Sequence, residues 1–171
     1  GAQAEQSSVA SSYIPTSGTT VTRLADVVGG AGDVNTFNDS EGVLFLQFNK
    51  MLSGRLGIIS NGNDRVAVYF GGLSGTRIQL VYASNGVTRL HNIDPVSPQG
   101  LFKIAIKWDL FNVYYYVNGN LEATTSISSS TSGLNKINFY VDNLKIVGQI
   151  EDLRVYKTAL TDAELTQLTT L

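Results

Sequence analysis

Three Asn-Gly steps, Asn61-Gly62, Asn85-Gly86 and Asn118-Gly119, fall between runs in which apolar and polar residues alternate. Asn-Gly suits a two-residue hairpin loop because both central residues must take φ > 0, which Asn and Gly tolerate best. Alternation with a period of two sends successive side chains to opposite faces of a strand. Val66, Val68 and Phe70 stand opposite Arg65, Ala67 and Tyr69, and Ile78, Leu80 and Tyr82 opposite Arg77, Gln79 and Val81. Ile104, Ile106 and Trp108 stand opposite Lys103, Ala105 and Lys107, and Val113, Tyr115 and Val117 opposite Tyr114, Tyr116 and Asn118. One apolar and one polar face per strand is the antiparallel pattern. Further strands are expected at 43–48, 55–60, 87–91, 121–125, 136–141 and 147–156, with Gly29 to Asp33 as a loop. Short strands at about 8–12-residue spacing, with no helices between them, point to an antiparallel sandwich. Its apolar sets would meet between two sheets.

Composition agrees and excludes several classes. The 171 residues include seventeen glycines and three prolines, with only 15% charged residues, so Ser, Thr, Asn and Gly must supply much of the surface. A formal net charge of −2 provides no general attraction to nucleic acid or anionic membranes. Without cysteine there is no disulfide and no thiolate metal site. No apolar run reaches the roughly 18 residues of a membrane-spanning helix, so membrane insertion is not expected. The first residues, GAQAEQSSVASS, carry neither the basic nor the apolar region of a signal peptide. Residues 1–18 are expected to be a linker or the tail of a preceding module, and 19–171 one domain.

The single expected helix, at 162–169, has two agreeing start signals. Thr161 lies three residues before Glu164, the spacing of a capping box, and Leu160 and Leu165 occupy the positions of a hydrophobic staple. A strand, GQIEDLRVY, runs straight into it.

FKIAIKWDLFNVYYYVNGNLEATTS at 102–126 resembles the strand pair of concanavalin-A-like, laminin-G-type jelly rolls, with an Asp-containing turn and a strand ending in YVNG. GQIEDLRVYKTALTDAEL at 148–165 is similar to the last strand of that family, where G-x-I-x-D-[LV]-R-[IV]-Y precedes an acidic helix. SSYIPTSGTTVTRLADV at 11–27 looks like modules of bacteriophage tail fibres and tail spikes. The resemblance implies an all-β, two-sheet jelly roll with one short C-terminal helix. It implies a non-catalytic, lectin-like binding module of a phage receptor-binding protein, located outside the cell on the virion. Its implied partners are a bacterial surface polysaccharide, upstream fibre modules and two further copies in a homotrimer. Domains of this type often bind calcium at a sheet rim; no ligand set is matched here, so Ca2+ is the one candidate and no cofactor at all is the alternative.

The residues themselves suggest where a glycan would bind. Arg65, Tyr69, Arg77, Gln79, Arg89, His91, Tyr114 and Tyr116, with Lys103 and Lys107, all oppose apolar neighbours. If their strands share one sheet, that face is basic and aromatic in an acidic protein. Sugars offer C–H faces to aromatic rings and hydroxyls to planar polar groups, and Arg grips carboxylates and sulfates. The alternative is a solvated face kept soluble by Lys and Arg, with the loops at 29–40 and 126–133 the next place for a site. Asp26, Asp33, Asp39, Asp64, Asp109 and Asp142 are the calcium candidates, although Asp also favours turns for its own local hydrogen bonds.

Two other functions stay in view: a spacer or trimerisation module without a ligand, and a polysaccharide lyase or glycosidase. No E-x-D-x-x-E run supplies paired carboxylates on one strand, and the adjacent Glu151 and Asp152 are expected to point to opposite faces. Lyase chemistry would pair His91, the sole histidine, with Tyr69 or Tyr114; otherwise His91 is an exposed strand-end residue. GGAGD at 29–33 lacks the strand–loop–helix setting of a phosphate loop and reads as a turn.

Overall fold

The computed structural model describes Gly18 and residues 29–71, 77–94, 99–141, 144–145 and 147–171. Its strands are β1 (Gly29–Ala31), β2 (Gly42–Ser60), β3 (Arg65–Gly71), β4 (Arg77–Ser84), β5 (Val87–Ile93) and β6 (Gln99–Trp108). They continue with β7 (Asn112–Val117), β8 (Asn120–Ser126), β9 (Leu134–Asn138), β10 (Tyr140–Val141), β11 (Leu144–Lys145) and β12 (Val147–Tyr156), before the helix α1 (Asp162–Thr169). All pairings among the described strands are antiparallel. The first sheet runs β5-β4-β3-β2-β9-β1. The second runs β12-β2-β6-β7-β8. This is the expected two-sheet jelly-roll sandwich with one C-terminal helix.

One difference from the expected strand plan is that 43–48 and 55–60 are a single strand. β2 spans 19 residues. Its first half pairs with β6 and β12, and its second half with β3 and β9. Gly54, at φ 112°, gives the chain a local freedom between the halves but does not turn it back. The register slips near Lys50, so the chain bends from one sheet into the other without leaving the ladder.

The Asn-Gly steps also divide. Asn85 and Gly86, and Asn118 and Gly119, all have φ > 0, at 48°, 77°, 47° and 87°. These are two-residue loops between β4 and β5 and between β7 and β8. Asn61 and Gly62 instead open a wider loop, closed where the Ser60 amide donates to the Asp64 carbonyl at 3.0 Å. Its second bond runs from the Gly62 amide to Ser60 Oγ, also at 3.0 Å. Ser60 and Asp64 thus supply the local acceptors that a two-residue turn would not need.

The expected core is present. Val66, Val68, Phe70, Ile78, Leu80, Tyr82, Ile104, Ile106, Trp108, Val113, Tyr115 and Val117 meet between the sheets, with Leu44, Leu46, Phe48, Leu56 and Ile58 from both halves of β2. Trp108 is buried and its indole N–H donates to the Asn38 carbonyl at 3.1 Å. A Cβ added to Gly42 would lie 2.5 Å from that ring, so the close approach requires glycine.

A second apolar cluster lies on the outer face of the second sheet. Val43, Phe45, Ala105 and Tyr116 are buried there beneath Leu165 of α1, with Leu160 and Leu168 beside it. The helix starts as expected: Thr161 caps it and the reciprocal Glu164 bond completes the capping box. Lys107 Nζ holds the first turn through Asp162 Oδ1 at 3.1 Å, and Lys103 Nζ donates to the Thr170 carbonyl past the last turn at 2.8 Å. Both lysines stand on one face of β6, so one strand grips both ends of the helix.

Candidate functional site

The residues expected to form one face occupy three places. Arg65, Tyr69, Arg77 and Gln79 lie on the outer face of the first sheet, and are largely tied to neighbours. The Arg77 guanidinium pairs with Asp94 at 2.7 Å, and Gln79 donates to Asn92 at 2.9 Å. Tyr69 is buried, with the Arg55 guanidinium 4.2 Å from its ring centre and that of Arg65 at 6.0 Å.

Arg89 and His91 belong to the same sheet but to its inner face, because Arg89 stands opposite Tyr82 and His91 opposite Leu80 in the β4–β5 ladder. His91 is therefore no exposed strand-end residue: it stacks on Tyr115 with ring centres 5.6 Å apart. The pairings of His91 with Tyr69 or Tyr114 that lyase chemistry would use do not form, since each tyrosine lies on an outer face.

Tyr114 and Tyr116 are on the other sheet, beneath α1. Tyr116 is 1% exposed and packs under Leu165, so it does not belong to an open glycan-binding face. Burial, and then the Asp162 carboxylate, push its hydroxyl up to about 12. The Lys107 ammonium lies 4.5 Å from the Tyr114 ring. The physical reason for the three-way split is that alternation fixes a residue's face within its strand, not which sheet the strand joins.

Glu151 and Asp152 correct another expectation. The β12 ladder skips between Ile150 and Asp152. Both carboxylates turn outward at this bulge, where Glu151 accepts from Gln47 at 2.7 Å and Asp152 pairs with Arg154 at 2.6 Å.

A groove lined mostly by polar residues lies elsewhere, at one end of the sandwich. It encloses about 440 Å³ and is lined by Val34, Ser60 to Asp64, Ser132, Gly133 and Asn135. Its walls are pinned by two carboxylates. Asp64 accepts from the Asn85 and Ser132 amides, each at 2.9 Å. Asp39 accepts from the Gly133 amide at 2.8 Å and the Leu134 amide at 3.0 Å. The Thr131 amide donates to Tyr82 Oη at 3.0 Å, which ties the loop to the core. Asn61, Asn63 and Asn135 bring side-chain amides to this fixed frame, and Asn135 Oδ1 is a buried acceptor with no hydrogen-bond partner. Val34, 62% exposed, adds an apolar surface. The groove draws on the loops at 29–40 and 126–133, the second location expected from the sequence. The missed signal is the amide pattern of Asn61, Asn63 and Asn135, which resembles ordinary turn chemistry until the loops converge.

Two of the calcium candidates, Asp33 and Asp109, serve such turn chemistry. Asp33 accepts from Thr36 Oγ1 at 2.8 Å and from the Asn35 and Thr36 amides at 2.9 Å, and these bonds, the hydroxyl's first, lower its pKa. Asp109 accepts from the Phe111 and Asn112 amides at 2.8 Å. Among the described residues no three His, Asp or Glu side chains gather into one group. Asp26 and Asp142 lie outside the described residues for side-chain placement, as does most of the tail-fibre-like segment at 11–27. No helix among the described residues is long and apolar enough to cross a membrane.

Two antiparallel sheets sharing a strand, with loops gathered over a groove at one end, define a lectin-like jelly roll. The chain belongs to the Concanavalin A-like lectin/glucanases superfamily, whose family model matches residues 44–166. No curated protein sequence matches it. Among solved structures, domain 4 of AbnA, an extracellular GH43 arabinanase from Geobacillus stearothermophilus in complex with arabinotriose, has 19% identity and a TM-score of 0.59. That likeness covers 81% of this chain and 70% of that one. The CBM40 of the Ruminococcus gnavus IT-sialidase, bound to α2,3-sialyllactose, has 18% identity and a TM-score of 0.58, covering 86% of this chain and 96% of that one. The binding domain of botulinum neurotoxin serotype G has 20% identity and a TM-score of 0.55; the likeness covers 83% of this chain but 37% of that one. At these identities the likeness is one of fold.

Proposed function

We propose that this chain is a non-catalytic carbohydrate-binding module and that its sugar binds in the loop-end groove. The observation that carries this is the groove itself, with amides of Asn61, Asn63 and Asn135 beside exposed Val34 on loops held rigid by Asp39 and Asp64. Side-chain amides both donate and accept, so they match the paired hydroxyls of a pyranose, and an apolar surface takes its C–H face. Loops fixed before binding lose little freedom when the sugar arrives. Solved relatives of the fold that hold arabinotriose and sialyllactose support the same reading.

The finer identity is a module of a phage tail fibre, outside the cell on the virion, bound to a bacterial surface polysaccharide. Its support is the segment 11–27. In a homotrimer joined to upstream fibre modules, three weak sites would gain about 10²–10⁴ in avidity.

A glycan array on the purified chain tests the general statement, followed by affinities of two double variants. Asn63→Ala with Asn135→Ala should weaken binding at least tenfold. Arg65→Ala with Arg77→Ala should leave it unchanged. The opposite pattern would move the site to the outer face of the first sheet. No binding to any glycan would favour a spacer. Release of reducing ends or unsaturated products would show an enzyme instead.

A further inference from the structure

A second polar cluster sits apart from the groove, on the inner side of β5. Among the described strands, β5 is the end of its sheet and pairs only with β4. Arg89 is opposite Tyr82 in that pairing, so its guanidinium points toward the sandwich interior. Its Nη1 is buried without a hydrogen-bond partner, and none of the described ion pairs uses it. Across the interior, Tyr115 is 0% exposed and its hydroxyl is also unpartnered. His91 lies flat on the Tyr115 ring and forms one wall. The two groups sense each other: burial raises the Tyr115 pKa, and the Arg89 charge pulls it partly back.

An interior guanidinium nitrogen and a phenol, both lacking acceptors, are an expensive arrangement unless something supplies oxygen atoms. What they lack is an acceptor of negative charge. A guanidinium offers parallel N–H donors that match a planar carboxylate, and the phenol adds a third donor from the other sheet. We propose that Arg89 and Tyr115 form an oxyanion subsite at the rim between the sheets, and that it takes the carboxylate of an acidic sugar. The sugar rests on the carbohydrate-binding reading above; the anion site does not. Entry is past the β5 edge, where Val87 is 46% exposed and Arg89 and His91 are only half-buried.

His91 is the sole histidine, so its imidazole proton signal reports this site directly in NMR. The intact chain is titrated with glucuronate, with glucose and with sodium sulfate. Glucuronate should shift the His91 signal saturably in the millimolar range, glucose should not, and sulfate should bind at least severalfold more weakly. Tyr115→Phe should reduce glucuronate affinity about threefold to tenfold while leaving Tm unchanged or higher, and Arg89→Gln should abolish the response. No saturable shift with glucuronate, or the same shift in both variants, would overturn the subsite. A lower Tm for Tyr115→Phe would show that its hydroxyl has an internal partner, which would overturn the subsite as well. Sulfate binding as tightly as glucuronate would overturn the carboxylate assignment. Asn63→Ala with Asn135→Ala should keep the glucuronate shift. A positive glycan array with a silent titration therefore removes this subsite alone, and a silent array with a glucuronate shift removes the groove alone.

Discussion

The outer faces of the two sheets share one kind of sequence pattern and meet different fates. On the second sheet, Val43, Phe45, Ala105 and Tyr116 are sealed under α1, with Lys103 and Lys107 holding the helix at both ends. On the first sheet, Arg77 and Gln79 bond to Asp94 and Asn92 and Tyr69 packs against Arg55 and Arg65, and α1 packs on β6, β7 and β8 instead. Lysine and tyrosine opposite an apolar row thus mean two things. They serve as groups bonded and packed within their own sheet, or as the seat and clamps of another element. What separates the cases is the strand beside them. Val43 to Leu46 is apolar at every position, which marks a strand covered on both faces. On the first sheet the outer side gathers a smaller apolar patch, around Ala67 and Val81.

The sharpest way to break this comparison is to raise the pH. Burial pushes the Tyr116 hydroxyl up to about 12, against an ordinary value of 10.0, and also raises Tyr82 and Tyr115. A pKa raised by folding adds stability that is complete below pH about 10 and is lost as pH climbs through the folded value. The chain should therefore unfold between about pH 10 and 12, with tyrosinate absorbance and near-ultraviolet dichroism changing together. In a variant lacking 161–171, Tyr116 should titrate close to its ordinary value while Tyr115 stays raised. If Tyr116 does not move, α1 is not what covers it. Next in size is Leu165→Ala, which should cost about 2–5 kcal/mol in denaturant unfolding, because this side chain is 0% exposed over Phe45 and Tyr116. Removing the cap with Thr161→Ala should cost about 1 kcal/mol. The smallest effect is expected on the other sheet. Arg65→Ala with Arg77→Ala should cost less than about 1 kcal/mol, as the Arg77–Asp94 pair is exposed. A larger loss there would show that the first sheet's outer face is also a seat for structure.

Most of the fold was legible in the sequence because it depends on local rules. Alternation assigns the inner rows of β3, β4, β6 and β7 correctly, and the Thr161–Glu164 spacing places the start of α1 where it is observed. The candidate site was hardly legible, because its parts are brought together by topology. Arg89 and Arg77 look alike in sequence, yet they sit on opposite faces of one sheet because the two-residue turn at Asn85-Gly86 sets the β4–β5 register. Likewise, Asn61 and Asn63 are separated from Asn135 by most of the chain's core strands before all three line one groove. The bulge at Glu151 had no visible cue either, since one extra residue in a ladder follows from the partner strand and not from its own neighbours.

The 19-residue span of β2 has a consequence for how the molecule opens. A sandwich whose layers are joined only by loops can lose one layer first. Here the same strand is stitched to β6 and β12 by one half and to β3 and β9 by the other. Releasing either layer strips partners from a strand the other still needs, so the two layers should come apart as one cooperative unit. The amides of Leu46 and Ile58, one in each half, should then exchange their hydrogens with solvent at the same slow, globally limited rate, and both should be slower than those of the end strand β5.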